Sequence, residues 1–390
     1  MVEMVMSFTH EVFNERLKTI EESQGQQQVQ INGYKLLMKD IRLNALECDL
    51  LPMSEKIIEI LVDENLSLLI SQPVLNEYVS KIIPTFKCEQ GMHLAHFILD
   101  KISHRISSFE ELATSTYLYL SESYEKKRNF KQAVHMLVSI PLESGLKIFT
   151  LDYKLKMYIK IINHYLEDNN LPQAALYLNR ASILQNLTDN KYLQTCYKAY
   201  YARLLDVRHS FIQAAYIYVE LSHATNLTED ERITSVRSAL SCTIISSPGV
   251  KRSELLQKLF KDNRSQKWLS YSILKKMHLC HMIQPDEIEE IKKILLKHHL
   301  KIITEYKTPL FSEAIIEHNI ISISKLYKNI RIQSLGDLLK IDRYKAEKVA
   351  GKMISEECME GSIDQIDGFI YFRYNMPQCE RHTNALIYNG

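Results

Sequence analysis

The chain is 390 residues long and carries 48 lysines and arginines against 47 aspartates and glutamates, a net charge of +1. That balance gives no field to draw in a nucleic acid or an anionic membrane, and with only 10 glycines and 9 prolines the turn residues of a large β protein are missing. Two or three domains, or one helical array with a terminal module, fit the length, and helix should dominate.

Seven cysteines (Cys48, Cys88, Cys196, Cys242, Cys280, Cys358, Cys379) are odd in number and never form C-x-x-C. They argue against a disulfide framework or zinc ribbon and fit a reducing compartment. Met1–Met6 is apolar but short and lacks a basic region, and no apolar run approaches the roughly 18 residues of a membrane span. A soluble intracellular protein without a signal peptide is expected.

In chain order, residues 1–110 read as N-terminal helical repeats, broken at Gln24–Gln28, Pro52, Pro73 and Pro84. Ser107-Ser-Phe-Glu110 has the pattern of a capping box and predicts a new helix. Three blocks then recur 41 and 40 residues apart: Phe130-Lys-Gln-Ala133, Leu171-Pro-Gln-Ala174 and Phe211-Ile-Gln-Ala214. Six residues before them stand Tyr124, Tyr165 and Leu205; four after each alanine stand Leu137, Leu178 and Tyr218. Each unit reads as helix, turn, helix, the alanine allowing close helix approach, as in tetratricopeptide-like arrays. Lys198, at the position of Tyr117 and Tyr158, makes the third unit degenerate. Thr228-Glu-Asp-Glu231 is a second capping box, and Ser246-Ser-Pro-Gly249 stops its helix. Residues 111–300 thus read as a continuing helical-repeat solenoid, with Lys301–Leu310 as linker.

Residues 311–372 follow another grammar: a helix over Ala314–Tyr327, an extended Ile330–Ile332, a short helix capped by Ser334–Asp337, and a longer helix over Asp342–Glu357. In Ile363–Phe372, Asp367-Gly368 between apolar segments predicts a hairpin with a type I′ turn. That order is a winged helix. Its outer strands would be Ile330–Ile332 and Ile363–Ile366, edges able to pair with a neighbouring subunit. The fold class is therefore all-α: a tetratricopeptide-like solenoid followed by a C-terminal winged helix with a small antiparallel sheet. Residues 373–390, with Met376-Pro377 and no apolar period, read as an irregular tail.

No phosphate-binding, dinucleotide, nucleophile-elbow or H-E-x-x-H motif occurs, so no catalytic residue is assigned. His278, Cys280 and His281 offer two metal ligands at most on one helix face, and His93 with His96 lack a third. His298 and His299 are adjacent, and helical geometry would point them apart. Asp367 has a sufficient role in the turn, so it and Asp364 are not an acid–base pair. On the second long helix Arg343, Lys345, Lys348 and Lys352 are balanced by Asp342, Glu347, Glu356 and Glu357, which disfavours phosphate binding.

A helical array capped by a winged helix resembles the PCI-domain family, the architecture of scaffold subunits in the proteasome lid, the signalosome and an initiation factor. Leu178-Asn-Arg-Ala-Ser-Ile-Leu-Gln185, Leu259-Phe-Lys-Asp262, Ile316-Glu-His-Asn319, Ser324-Lys-Leu-Tyr327, Ala346-Glu-Lys348 and Gly361-Ser-Ile-Asp-Gln-Ile-Asp-Gly368 are similar to its signalosome branch, continuously from about Tyr153 to Phe372. The resemblance implies a non-catalytic scaffold, without cofactor or metal, in the complex that removes NEDD8 from cullin-RING ligases. Its implied partners are other signalosome subunits, including the catalytic metalloprotease subunit, and cullin-RING ligases, with no nucleic acid and no membrane. Its implied location is cytoplasm and nucleus. It implies edge-to-edge packing through Ile330, Ile332, Ile363, Asp364, Gln365, Ile366, Asp367 and Gly368. Residues 1–150 would reach toward the cullin-RING substrate, and His298–Leu310 would lie near the catalytic subunit. The family's terminal bundle helix has no counterpart in the tail as read. A proteasome-lid scaffold and a nucleic-acid-binding winged helix stand as alternatives.

Overall fold

The computed structural model describes residues 10–22, 27–44, 47–143, 149–266, 271–296, 298–301 and 309–373. All of the expected tail but Arg373, most of the expected linker, and Gln24–Gln26 lie outside them. Two compact units divide the chain, Met1–Leu193 and Gln194–Gly390.

The first unit contains α1 (His10–Glu22), α2 (Gln27–Asn44), α3 (Glu47–Val62), α4 (Leu68–Glu77), α5 (Cys88–Ile102), α6 (Glu110–Lys126), α7 (Phe130–Val138), α8 (Leu151–Glu167) and α9 (Leu171–Gln185). Phe13, Tyr34, Met53, Ile57, Leu75, Ile98 and Phe109 belong to one buried cluster. Pro52 and Pro73 do not break the chain as expected; they lie inside α3 and α4. Each removes one backbone donor, a loss that the surrounding packing outweighs. Only Pro84 marks a break, in the short 3₁₀ turn Ile83–Thr85. The capping box at Ser107 does not form: Phe109 occupies the cap position of α6 without a side-chain bond, and the Ser108 carbonyl accepts from Gln72 instead.

The repeat extends into the backbone. Arg128, Asn169 and His209 all have positive φ, between 57° and 62°. The next residue in each case donates its N–H back to the carbonyl of Tyr124, Tyr165 or Leu205. Those bonds make the three turns Schellman-type helix ends. Asn129 and Asn170 then cap α7 and α9 by accepting from Gln132 and Gln173; Ser210 makes no such bond. Ala133, Ala174 and Ala214 are fully buried, while Phe130 and Leu171 are half-buried and Phe211 buried.

From the boundary onward run α10 (Lys191–Val207), α11 (Phe211–Ser222), α12 (Glu229–Ile245), α13 (Val250–Lys261), α14 (Asn263–Gln266), α15 (Tyr271–His278) and α16 (Ile288–Ile294). Thr228 and Glu231 form the reciprocal capping box that opens α12. Then come α17 (Leu310–Leu326), β1 (Asn329–Arg331), α18 (Ile332–Leu339), α19 (Arg343–Ser355), β2 (Gly361–Asp364) and β3 (Phe369–Phe372). Ser334–Asp337 lies within α18 rather than capping it, because the helix begins two residues earlier, at Ile332. The strands form an antiparallel sheet in the order β1-β3-β2. Ile320, Ile323, Ile332, Leu335, Val349, Met353 and Ile370 close its core.

Candidate interaction surface and polar clusters

The wing is built around two glycines and one aspartate. Asp364 Oδ1 accepts the N–H groups of Ile366 (2.9 Å) and Asp367 (3.1 Å), and Gly368 takes φ +70°. Only that one central residue has positive φ, so the expected type I′ turn at Asp367-Gly368 is instead a four-residue loop, Gln365–Gly368. Asp364, not Asp367, orders it, since a short carboxylate reaches the backbone two and three residues on. At Gly361 a Cβ would sit 2.6 Å from the Tyr371 carbonyl oxygen, so the close approach of β2 to β3 depends on glycine there. Ile366 projects at the loop tip, 97% exposed.

Hydrogen bonding decides which edge groups are available. Ile332 donates to the Gly368 carbonyl and Phe372 donates to the Lys328 carbonyl. In an antiparallel ladder, alternate residues face the partner, so residues 328, 330 and 332 turn their backbones toward β3. Asn329 and Arg331 therefore carry the outward-facing N–H and C=O groups of this edge. On the other side Arg373 donates to Glu360, which turns 360, 362 and 364 inward and leaves Gly361 and Ile363 facing out. Two expected interface residues thus move: Ile332 is the buried first residue of α18, and Ile330 is buried with its backbone on β3. Ile366 and Gln365 are loop residues, not strand; Gln365 donates to Glu347 at 2.8 Å.

Asp342 caps α19 by accepting from Tyr344. Lys352 turns away from the surface charges and pairs with Glu313 (3.3 Å) and Glu317 (3.5 Å) of α17. Burial pushes the Glu317 carboxyl up and Lys352 partly opposes it. Arg252 is buried and donates to the carbonyls of Thr243 (3.0 Å) and Ile244 (2.9 Å) at the end of α12. Burial lowers its guanidinium to about 10, and this side chain was missed from sequence. His318 donates to the His281 carbonyl at 2.9 Å; burial holds its imidazole at about 4.

His278 and His281, read as sharing one helix face, do not share one, because α15 ends at His278 and Cys280 takes positive φ. His278 instead stacks on Phe260. His93 pairs with Glu55, and His96 shares a hydrogen bond with Tyr124.

His298 and His299, expected to diverge, converge. They sit in a turn rather than an α-helix, and their Nε2 atoms lie 3.0 and 2.6 Å from the two oxygens of Asp206. Burial alone would raise Asp206, but hydrogen bonds from both imidazoles outweigh it and hold the carboxyl at about 2. His299 Nδ1 is 2.8 Å from Ser241 Oγ. Ser241, His299 and Asp206 thus form a relay, with all three buried. A buried hydroxyl leaves no place for a substrate, so the relay is not a nucleophilic triad.

Helical repeats followed by a winged helix, whose outer strands β1 and β2 pair only with β3 among the described residues, define a PCI-type protein. The family described as PSMD12/CSN4, N-terminal, matches residues 13–230, and the PCI domain matches residues 287–373. Relatives named COP9 signalosome complex subunit 4 are 40% identical over 361 residues in Drosophila melanogaster (92% of this chain, 88% of the relative) and 38% over 315 residues in Dictyostelium discoideum (80% and 79%). One in Arabidopsis thaliana is 32% identical over 364 residues (92% and 90%). The chain belongs to the COP9 signalosome subunit 4 family. No described helix is long and apolar enough to cross a membrane.

Proposed function

We propose that this chain is a non-catalytic scaffold subunit of the COP9 signalosome, acting in the cytoplasm and nucleus. It supports removal of NEDD8 from cullin-RING ubiquitin ligases through protein contacts with the other subunits and with the ligases. The observation that carries the reading is the strand order β1-β3-β2. Among the described residues it leaves outward backbone donors and acceptors at Asn329, Arg331, Gly361 and Ile363, a template for a partner's strand. The exposed Ile366 beside them supplies an apolar anchor. The polar groups with catalytic-type spacing are buried and hydrogen-bonded to one another, in keeping with a subunit that positions rather than reacts.

The test is co-purification of the tagged full-length chain with quantification of its partners. Wild type should bring down signalosome subunits, and Asn329→Pro or Ile366→Asp should reduce that yield while leaving the helical content unchanged. Recovery of proteasome-lid subunits, or of nucleic acid alone, would replace the proposal. Undiminished incorporation of both variants would remove the sheet edge as its basis.

A further inference from the structure

We propose that Asp206, His298 and His299 form a binding site for one zinc-class divalent cation. One ligand atom from each of the three lies within 4.8 Å of the other two, and this is the one such group of three among the described residues. Two imidazole nitrogens and one carboxylate oxygen suit a borderline transition ion such as Zn²⁺ better than Mg²⁺ or Ca²⁺, which prefer all-oxygen sites.

Three features turn proximity into a built site. Asp206 and His299 are 1% and 0% exposed, whereas His298 is 40% exposed, giving a buried anionic floor with an entrance on one side. His299 is held from behind by Ser241, the outer contact that fixes ring direction at metal-bound histidines. Ser241 is itself fixed by the Leu296 N–H at 3.2 Å. The rings of His298 and His299 are 4.0 Å apart at 61°, and their Nε2 atoms reach the two oxygens of the same carboxylate.

Loading needs no co-reactant. In the cation-free state each Nε2–H donates to Asp206. On binding, the His299 proton moves to Nδ1 and donates to Ser241 Oγ, while the His298 proton moves to its own Nδ1. Both Nε2 lone pairs are then released to the metal, and the proton count is unchanged. The ion would tie the C-terminal end of α10 to the segment that precedes α17.

Full-length chain, stripped with a chelator, is titrated with Zn²⁺ against a chromophoric zinc indicator, and Co²⁺ serves as a spectroscopic substitute. One ion per chain is expected, with a visible Co²⁺ band. His298→Ala, at the half-exposed ligand, should weaken binding by at least about tenfold, and Ser241→Ala by about tenfold or more. Asp206→Asn should abolish it. His278→Ala with His281→Ala should leave it unchanged. Thermal melts without metal establish which variants are folded; if Asp206→Asn is not, His298→Ala carries the test. Absence of saturable binding by the folded wild type would overturn the proposal and leave a hydrogen-bonded latch. Affinity that His298→Ala does not alter, or that the His278 and His281 changes remove, would overturn it equally.

Discussion

Asn319 bonds in both directions with the backbone of Ile283: its Oδ1 accepts the N–H at 2.8 Å and its Nδ2 donates to the carbonyl at 3.0 Å. The side chain thereby substitutes for a strand neighbour and ties α17 to the loop after α15. Asn319→Leu would leave two buried backbone groups without partners, at about 1–3 kcal/mol each. A loss of roughly 2–5 kcal/mol in urea unfolding followed by circular dichroism is expected. Stability within error of wild type would mean that water satisfies Ile283.

The two wing glycines should fail differently. Gly361→Ala places a methyl group 2.6 Å from the Tyr371 oxygen and should force β2 away from β3. Gly368→Val instead strains φ +70°, at roughly 1–2 kcal/mol. Both should lower recovery of partner subunits before they lower helical content. Hydrogen exchange at Phe369–Phe372 would report the loss of pairing, and unchanged protection in Gly361→Ala would refute the steric argument.

The repeat alanines are fully buried, so a larger side chain must displace a helix. Ala133→Leu and Ala174→Leu should each cost about 1–3 kcal/mol by overpacking, and by similar amounts because the turns share one geometry. A neutral result at either position, read from chemical denaturation, would show that the helices there are not in close approach.

Acid should destabilise the fold before its carboxylates titrate. Burial holds the His318 imidazole at about 4 and also lowers His96, His164 and His278. An unfolded histidine takes up its proton near 6.5. Between pH 6.5 and 4 the unfolded chain therefore binds more protons, and stability present above pH 6.5 is lost as pH falls. For His318 alone the loss is on the order of 3 kcal/mol. Glu317, raised by burial, works in the opposite sense, because its folded form accepts a proton more readily than the unfolded one. His318→Gln should flatten the slope of stability against pH in this window. An unchanged slope would assign the acid sensitivity elsewhere.

Much of the fold was legible because its determinants are local. The three alanine blocks, the tyrosines and leucine six residues ahead of them, and the capping box at Thr228 all act through bonds spanning three to five residues, so spacing alone revealed them. The helix, strand, helix, helix, hairpin order of residues 311–372 was readable for the same reason. The central place of β3 could also be anticipated from that order. Where local signals competed with packing they failed: Pro73 stayed inside a helix, and Ser107 lost its cap to a different arrangement of the preceding turn.

What the sequence determined by itself was the grammar of helices and turns and, through its residues, membership of a family. Tertiary structure alone decided what the polar residues do. Glu317, His318 and Asn319 are consecutive, yet they meet Lys352, the His281 carbonyl and Ile283, and the last of these lies 36 positions away. His299 meets Asp206 across 93 positions, and a turn in place of a helix lets His298 join them. The sheet edge illustrates the finest case, since a strand's backbone groups alternate with a period of two. One bond from Ile332 to Gly368 shifted the available groups from Ile330 and Ile332 to Asn329 and Arg331. Such assignments depend on chain segments brought together only by burial, and short-range spacing carries no information about which segments those are.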